Sequence, residues 1–157
     1  MPYLVDGNNV MAQRVGWHRD KSAARRRLMD ELAQFARDAK VKVTVVFDGA
    51  PEQFFKDGAS YRGVRLFYAE RGSNADERIK QMVEASRERR TLIVVTSDRS
   101  LSAYVRGCGA QTLRAGEFRS RLDAAARKAS ASLGEDEAID EGELHVWMRY
   151  FGVEEDD

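Results

Sequence analysis

The sequence has few of the residues that mark several classes of protein. It contains one cysteine and two prolines among 157 residues. A single cysteine excludes an internal disulfide and a zinc site built from several cysteines, and it favours a reducing compartment. No apolar run approaches the roughly 20 residues that cross a bilayer, and no basic stretch precedes the apolar residues at the N-terminus. We therefore expect a cytoplasmic protein without a membrane-spanning segment or a secretory signal.

The charges cancel over the whole chain but not along it. The 26 basic and 26 acidic residues give a net charge of zero, yet residues 135–157 contain ten acids and one base. The remainder of the chain has nine more bases than acids, an asymmetry expected of a protein that meets a polyanion. Residues 130–139 have few large apolar side chains. We predict one folded domain over residues 1–129, followed by an acidic linker and a C-terminal helical extension over residues 130–157.

Five β-rich segments alternate with segments of helical periodicity. The strand segments are nearly continuous apolar runs, which are typical of parallel strands covered on both faces. They lie at residues 3–5, 41–47, 64–68, 92–96 and 110–113. Ser22, Ser73 and either Ser97 or Asp98 are the expected N-caps of helices between them. Strict alternation of strand and helix predicts an α/β fold, a three-layer sandwich around a central five-stranded parallel sheet.

Carboxylates follow several of the predicted strands. Asp6, Asp48 and Asp98 come after the first, second and fourth, and Asp76 lies in the first turn of the helix after the third. Because parallel strands end at the same edge of a sheet, we expect all four to meet there. Like charges in a cleft repel unless a cation compensates them, and hard oxygen ligands favour Mg²⁺ or Mn²⁺. Such a site suits metal-assisted phosphoryl transfer.

Other reaction types find less support. The two histidines, His18 and His145, have no triad-like context, and Cys108 lies between two glycines without an activating base. No dinucleotide fingerprint or phosphate-binding glycine loop occurs. A phosphatase with an aspartyl nucleophile would need a second acid where this chain has Asn8.

Four short motifs resemble one family of nucleases. They are VDGNNV at 5–10, VVFDG at 45–49, SNADERI at 73–79 and VVTSDRS at 94–100. In this order and spacing they resemble PIN-like nucleases of the NYN type, and the YacP-like group among them. The resemblance covers residues 1–128 and implies a sheet with its five strands in the order 3-2-1-4-5.

The resemblance also implies roles for individual residues. Asp6, Asp76 and Asp98 fall on the acids that bind a divalent metal, and Asn9 completes the expected catalytic set. Asp48, Glu77 and Ser97 are expected in supporting positions. Two positions depart from the family pattern: Asn8 stands where tyrosine is common, and Ser102 stands where some relatives have another acid. The second departure leaves open whether one or two metals bind.

The resemblance implies RNA as substrate and the ribosome as partner. We therefore expect a metal-dependent endoribonuclease that cuts single-stranded RNA, with mRNA as the expected target. Aromatic and basic side chains in residues 50–63 fit this, since bases stack on aromatic rings while cations hold phosphates. The candidates for RNA contact are Phe54, Phe55, Lys56, Tyr61, Arg62 and Arg99.

Two other functions stay open on the sequence alone. A PIN-like module could bind RNA or the ribosome without cutting. A structure-specific DNA nuclease of the flap type also begins with a strand that ends in Asp-Gly, although the chain is short and has no helical arch insertion.

Overall fold

The chain folds as alternating strands and helices, seen in a computed structural model that describes residues 2–52, 55–69 and 74–136. The strands are β1 (Tyr3–Asp6), β2 (Val43–Asp48), β3 (Ser60–Tyr61), β4 (Val64–Ala69), β5 (Ile93–Val95) and β6 (Gln111–Leu113). The helices are α1 (Gly7–Met11), α2 (Lys21–Ala39), α3 (Ala75–Ala85), α4 (Arg99–Gly107) and α5 (Ala115–Asp136). A 3₁₀ turn over Trp17–Arg19 precedes α2.

The described strands form one sheet in the order β3-β4-β2-β1-β5-β6. Its parallel pairings confirm the predicted parallel sheet, because β4, β2, β1, β5 and β6 lie in the order 3-2-1-4-5. The prediction of five strands missed β3, a two-residue edge strand antiparallel to β4. The connection is a two-residue hairpin loop in which Arg62 and Gly63 both have positive φ, at 49° and 88°. Such a turn matches the twist of antiparallel strands.

The two faces of the sheet are covered by different helices, which confirms the three-layer sandwich. Successive residues of a strand point to opposite faces. Val5 and Val45 therefore face a core built with α2 and α5, and Leu4 and Val46 face a core built with α3 and α4. All four side chains are buried. Burial on both faces explains why the sequence shows continuous apolar runs rather than alternation.

Chain connections on either side of β1 create a crevice at its carboxyl end. The chain leaves β1 for β2 on one side, and later reaches β5 on the other side. Gly7 follows Asp6 in this crevice and packs tightly against β2. A Cβ atom at Gly7 would lie 2.5 Å from the ring of Phe47 and 2.9 Å from a methyl of Val45. The close approach of α1 to β2 therefore requires glycine at this position.

Some predicted helix ends differ from those observed. Asp20, rather than Ser22, caps α2 by accepting a hydrogen bond of 3.0 Å from the N–H of Ala23. Asn74 caps α3, and Ser73 lies outside the described residues. Asp98, one of the two residues predicted for this position, caps α4. None of the described helices is long and apolar enough to cross a membrane.

The last described helix also bears on the predicted domain boundary. α5 continues through Asp136, so residues 130–136 are helical. Residues 137–157 lie outside the described residues. The division at residue 129 stays a prediction.

We predict that Gly7→Ala lowers the free energy of unfolding by about 1–3 kcal/mol, because the new methyl forces Phe47 or α1 to shift. Gly107→Ala is the matched control, since a Cβ there meets no atom within 4 Å. We expect that control to be neutral or slightly stabilising. Urea unfolding of both variants measures the difference, and equal stabilities would contradict the packing argument.

Candidate active site

The carboxylates predicted from the sequence meet at the carboxyl edge of the sheet. Asp6 ends β1 and Asp48 ends β2, while Asp98 precedes α4 and Asp76 lies in the first turn of α3. Asp6 interacts electrostatically with Asp76 and Asp48, and Asp76 interacts with Asp98. The structure thus brings the four acids together from separate parts of the chain.

Asp6 is the most deeply placed of these acids. Its residue is only 2% exposed, and the hydroxyl of Thr96 donates a hydrogen bond of 3.0 Å to its Oδ2. Burial is the main cause that raises the pKa of Asp6 to about 7, and the charges of Asp76 and Asp48 raise it further. The Thr96 hydroxyl and the backbone N–H of Asn9 act in the opposite direction. Asp6 is therefore poised between its neutral and charged forms near neutral pH.

Asp76 and Asp98 interact with each other at the mouth of the crevice. Burial, followed by the charge of Asp98 and a hydrogen bond with it, raises the pKa of Asp76. The pKa of Asp98 is lowered, chiefly because the N–H of Leu101 donates to its carboxylate at 3.0 Å. Lys80 favours the charged form of both acids. The surroundings therefore favour the ionised form of Asp98 and the neutral form of Asp76, each relative to an ordinary aspartate.

The two asparagines after Asp6 connect β1 to the strands on either side of it. The side-chain oxygen of Asn8 accepts a hydrogen bond of 3.1 Å from the N–H of Asp48. The side-chain oxygen of Asn9 accepts one of 2.7 Å from the N–H of Ser97. Asn9, expected as a catalytic residue, is thus a brace for the turn that carries Asp98. Asn8, which departs from the family pattern, braces the end of β2.

Ser97 and Asp48 also stabilise neighbouring backbone. The hydroxyl of Ser97 accepts from the N–H of Ala115 at 3.2 Å, which ties the turn after β5 to the start of α5. The carboxylate of Asp48 accepts from the N–H of Ala75 at 2.8 Å, which ties β2 to the start of α3. Both side chains hold neighbouring backbone in place, and their predicted supporting roles at the site stay predictions.

A family model for YacP-like NYN domains matches residues 3–147 of the chain. The protein belongs to the YacP-like NYN family. This membership supports a nuclease-like role related to RNA.

Solved structures of a YacP protein share this fold. A crystal structure of the W164L mutant of Rae1 (YacP) from Bacillus subtilis has a TM-score of 0.72 and 23% identity, covering 89% of this chain and 85% of that one. A second crystal structure of Rae1 (YacP) from Bacillus subtilis has a TM-score of 0.71 and 21% identity, covering 99% and 92%. No curated protein is significantly similar to the sequence.

Three residues of this YacP-like site escaped the sequence analysis. Thr96 donates to the carboxylate of Asp6 and also accepts a hydrogen bond of 3.1 Å from the N–H of Asp98, so its hydroxyl joins the Asp6 carboxylate to the backbone of Asp98. Arg25 is buried under the loop after β2 and donates to the carbonyl of Asp48. Lys80 is four residues after Asp76, on the same side of α3. Only the spacing of Lys80 gave a signal in the sequence.

The aromatic loop predicted for RNA contact packs largely against the protein. Phe55 and Tyr61 are half-buried against the core and touch edge to face, with ring centroids 5.2 Å apart. The Tyr61 hydroxyl donates to Asp30 at 2.6 Å, and the guanidinium of Arg62 lies over its ring. Other protein groups therefore already contact these rings, which argues against the prediction that RNA bases stack on them. Phe54 lies outside the described residues.

The other predicted residues are exposed. Lys56 and Arg62 lie on the surface beside that loop, and Arg99 is the first residue of α4. Glu77 is exposed in the first turn of α3.

The carboxylate oxygens suit a hard divalent cation, although the protein side chains alone do not complete its coordination. Among residues 2–52, 55–69 and 74–136, no three His, Cys, Asp or Glu side chains form a ready-made metal site. The crowded carboxylate oxygens are nevertheless the ligands that Mg²⁺ and Mn²⁺ prefer. Burial, and then the neighbouring negative charges, raise the pKa of Asp6 and of Asp76, and a bound cation would relieve the repulsion among these acids. The residues fit such an ion if water or substrate oxygens complete its coordination.

We predict that Asp6→Asn stabilises the metal-free protein at high pH. The folded pKa of about 7 exceeds the ordinary value of 3.8, so the folded state holds the proton more tightly. Stability of the parent should fall as the pH rises from about 4 to 7, and the variant should lack this loss. The difference in unfolding free energy should grow to at most about 4 kcal/mol at pH 8.

Urea unfolding in EDTA across this pH range measures the effect. Glu88→Gln is the control, because it neutralises an exposed acid near the opposite edge of the sheet. A constant difference between the Asp6 variant and the parent from pH 4 to pH 8 would contradict the buried, crowded carboxylate.

Proposed function

We propose that the protein is a divalent-metal-dependent endoribonuclease that cuts single-stranded RNA, with mRNA at the ribosome as its substrate and the cytoplasm as its location. The observation that carries the proposal is the convergence of Asp6, Asp48, Asp76 and Asp98 on one edge of the sheet. Membership of the YacP-like NYN family supports the RNA-related, nuclease-like part.

Asp6, Asp76 and Asp98 would hold Mg²⁺ or Mn²⁺. A cation bound there would supply a polarised water and neutralise charge on the leaving oxygen. Asp98 is kept ionised by the N–H of Leu101, so it is ready to act as a ligand. A cation would offset the burial and the neighbouring negative charge that raise the pKa of Asp76. Thr96, bonded to the inner carboxylate, would orient Asp6 toward the ion.

Asn9 and Asp48 would act through other residues rather than on the substrate. Asn9 fixes the N–H of Ser97, and so fixes the turn from which Asp98 projects. Asp48 fixes the N–H of Ala75, and so fixes the first turn of α3, which carries Asp76. Loss of either brace would displace a carboxylate, and small displacements of catalytic groups are costly to rate.

A binding module that does not cut RNA is the second candidate. This candidate is favoured because, among the described residues, no three His, Cys, Asp or Glu side chains are arranged to hold a metal ion. Such a module would leave RNA intact in both Mg²⁺ and Mn²⁺ and would bind it as tightly with neutralised carboxylates.

We predict that Asp76→Asn and Asp98→Asn each reduce cleavage of single-stranded RNA by about 100-fold or more, because each removes a charged ligand. Asparagine is a good N-cap, so the Asp98 variant should keep the start of α4. Cleavage of a labelled oligonucleotide in Mg²⁺ and in Mn²⁺ is the measurement, and Mn²⁺ affinity by calorimetry is the second readout.

Glu88→Gln serves as the control, since it removes an exposed acid from outside the site. Cleavage by both carboxylate variants at the parent rate would overturn the assignment. Intact RNA with unchanged binding in all variants would favour the binding module.

A further inference from the structure

A second concave feature lies at the same edge of the sheet as the carboxylates. It is a cleft of about 360 Å³ between α4, β6 and the start of α5. Arg99 and Arg106 line it from α4, and Arg114 lines it from the residue before α5. We call these three residues the cleft arginines. The hydroxyls of Ser102 and Thr112 lie in the same lining.

The cleft arginines differ from the arginines that stabilise the fold. Arg119 pairs with Glu31 at 2.6 Å, and Arg25 pairs with Glu52 at 3.1 Å. The cleft arginines are exposed, and within the described part of the chain none has an ion pair or hydrogen bond from its guanidinium. One acid, Glu117, shares the lining, so the described lining carries an excess of positive charge. Unpaired guanidinium groups that converge on a cleft are suited to an anion.

The cleft is next to the carboxylates in the chain and in space. Thr96 lines the cleft, and its hydroxyl also bonds to Asp6 at 3.0 Å. Ser97 lines it as well, and Asp98 follows directly. The cleft and the acidic crevice are therefore separated by the thickness of one backbone turn. A strand with a phosphate at the carboxylates would place neighbouring phosphates within reach of this cleft.

The chemistry of the lining favours the backbone of a nucleic acid over its bases. The described lining contains guanidinium and hydroxyl groups but no aromatic ring on which a base could stack. Arginine binds phosphate oxygens through two donors at once, and hydroxyls add single donors. Such contacts position a strand without reading its sequence.

We propose that the cleft arginines bind the phosphodiester backbone of the RNA strand next to the bond that is cut. This inference rests on the proposed function for the identity of the strand. It assigns a substrate-binding site to the turn after β5, α4 and the start of α5. It also predicts that binding at the cleft does not depend on the base sequence of the RNA.

The test replaces the three cleft arginines with glutamine together. The matched control replaces Arg87, Arg89 and Arg90 with glutamine, which removes the same charge from the exposed loop before β5, at the opposite edge of the sheet. Binding of a fluorescent single-stranded RNA in EDTA is measured by anisotropy over a range of salt concentrations. Thermal melting checks that each variant folds, and single replacements of Arg106 and Arg114 provide further variants.

We expect the cleft variant to bind RNA about tenfold more weakly at low salt. The slope of log affinity against log salt should become shallower by about 0.7 for each phosphate that the variant no longer neutralises. The control should change affinity by less than about threefold. A lysine version of the cleft should recover most of the slope, because it restores the charge. Equal weakening in the cleft variant and the control would overturn the inference, since diffuse charge would then explain binding.

Cleavage separates this inference from the proposed function. If the parent cuts RNA and the cleft variant cuts with unchanged KM, the inference fails and the function stands. If the parent binds RNA through the cleft arginines but cuts nothing in Mg²⁺ or Mn²⁺, the site stands and the function fails. A raised KM in the cleft variant, with kcat near that of the parent, supports both.

Discussion

A carboxylate buried at the end of the central strand is the constraint around which this site is built. Asp6 is almost inaccessible to solvent, and a buried charge is costly unless polar groups compensate it. Only one side-chain hydroxyl, that of Thr96, donates to it among the described hydrogen bonds. Two other carboxylates raise its pKa rather than lower it. The free protein therefore holds an unfavourable electrostatic arrangement in place by packing, and the next residue, Gly7, has no room for a Cβ beside Phe47.

This arrangement is tolerated because rigid braces hold each acid from a different direction. Asn8 and Asn9 reach in opposite directions from the end of β1 to the backbone of β2 and of the turn after β5. Asp48 reaches on to the start of α3, and Ser97 to the start of α5. These contacts leave the acids little freedom to separate and relieve their repulsion. Acidic groups with perturbed pKa values that are held close together are characteristic of functional sites. In such sites a bound ligand or cation supplies the compensating charge.

Sequence reasoning succeeded where the signal is periodic or positional. Continuous apolar runs identified the five parallel strands, and the positions of the acids after them indicated that Asp6, Asp48 and Asp98 would meet. It failed where the outcome depends on tertiary partners. A threonine at the end of a strand looks like any β-branched residue, so the double role of Thr96 had no signal. β3 is two residues long and exists because a hairpin turn brings it to β4.

At this edge of the sheet, the basic residues that would attract RNA lie apart from the acidic residues that would assist its cleavage. A cluster of carboxylates repels a phosphate backbone, so the acids that would assist cleavage cannot themselves bring RNA to the site. Basic side chains that attract RNA must lie close enough to contact the same strand. They must also lie outside the crevice, because inside it they would neutralise the carboxylates that bind the metal. The cleft arginines meet both conditions, because the turn through Thr96 and Ser97 stands between them and Asp6. Salt should therefore weaken capture of the strand through the arginines, while removal of divalent metal should stop the reaction through the carboxylates. In the proposed function, two neighbouring sites of opposite charge would let one small sheet edge hold a polyanion and act on it.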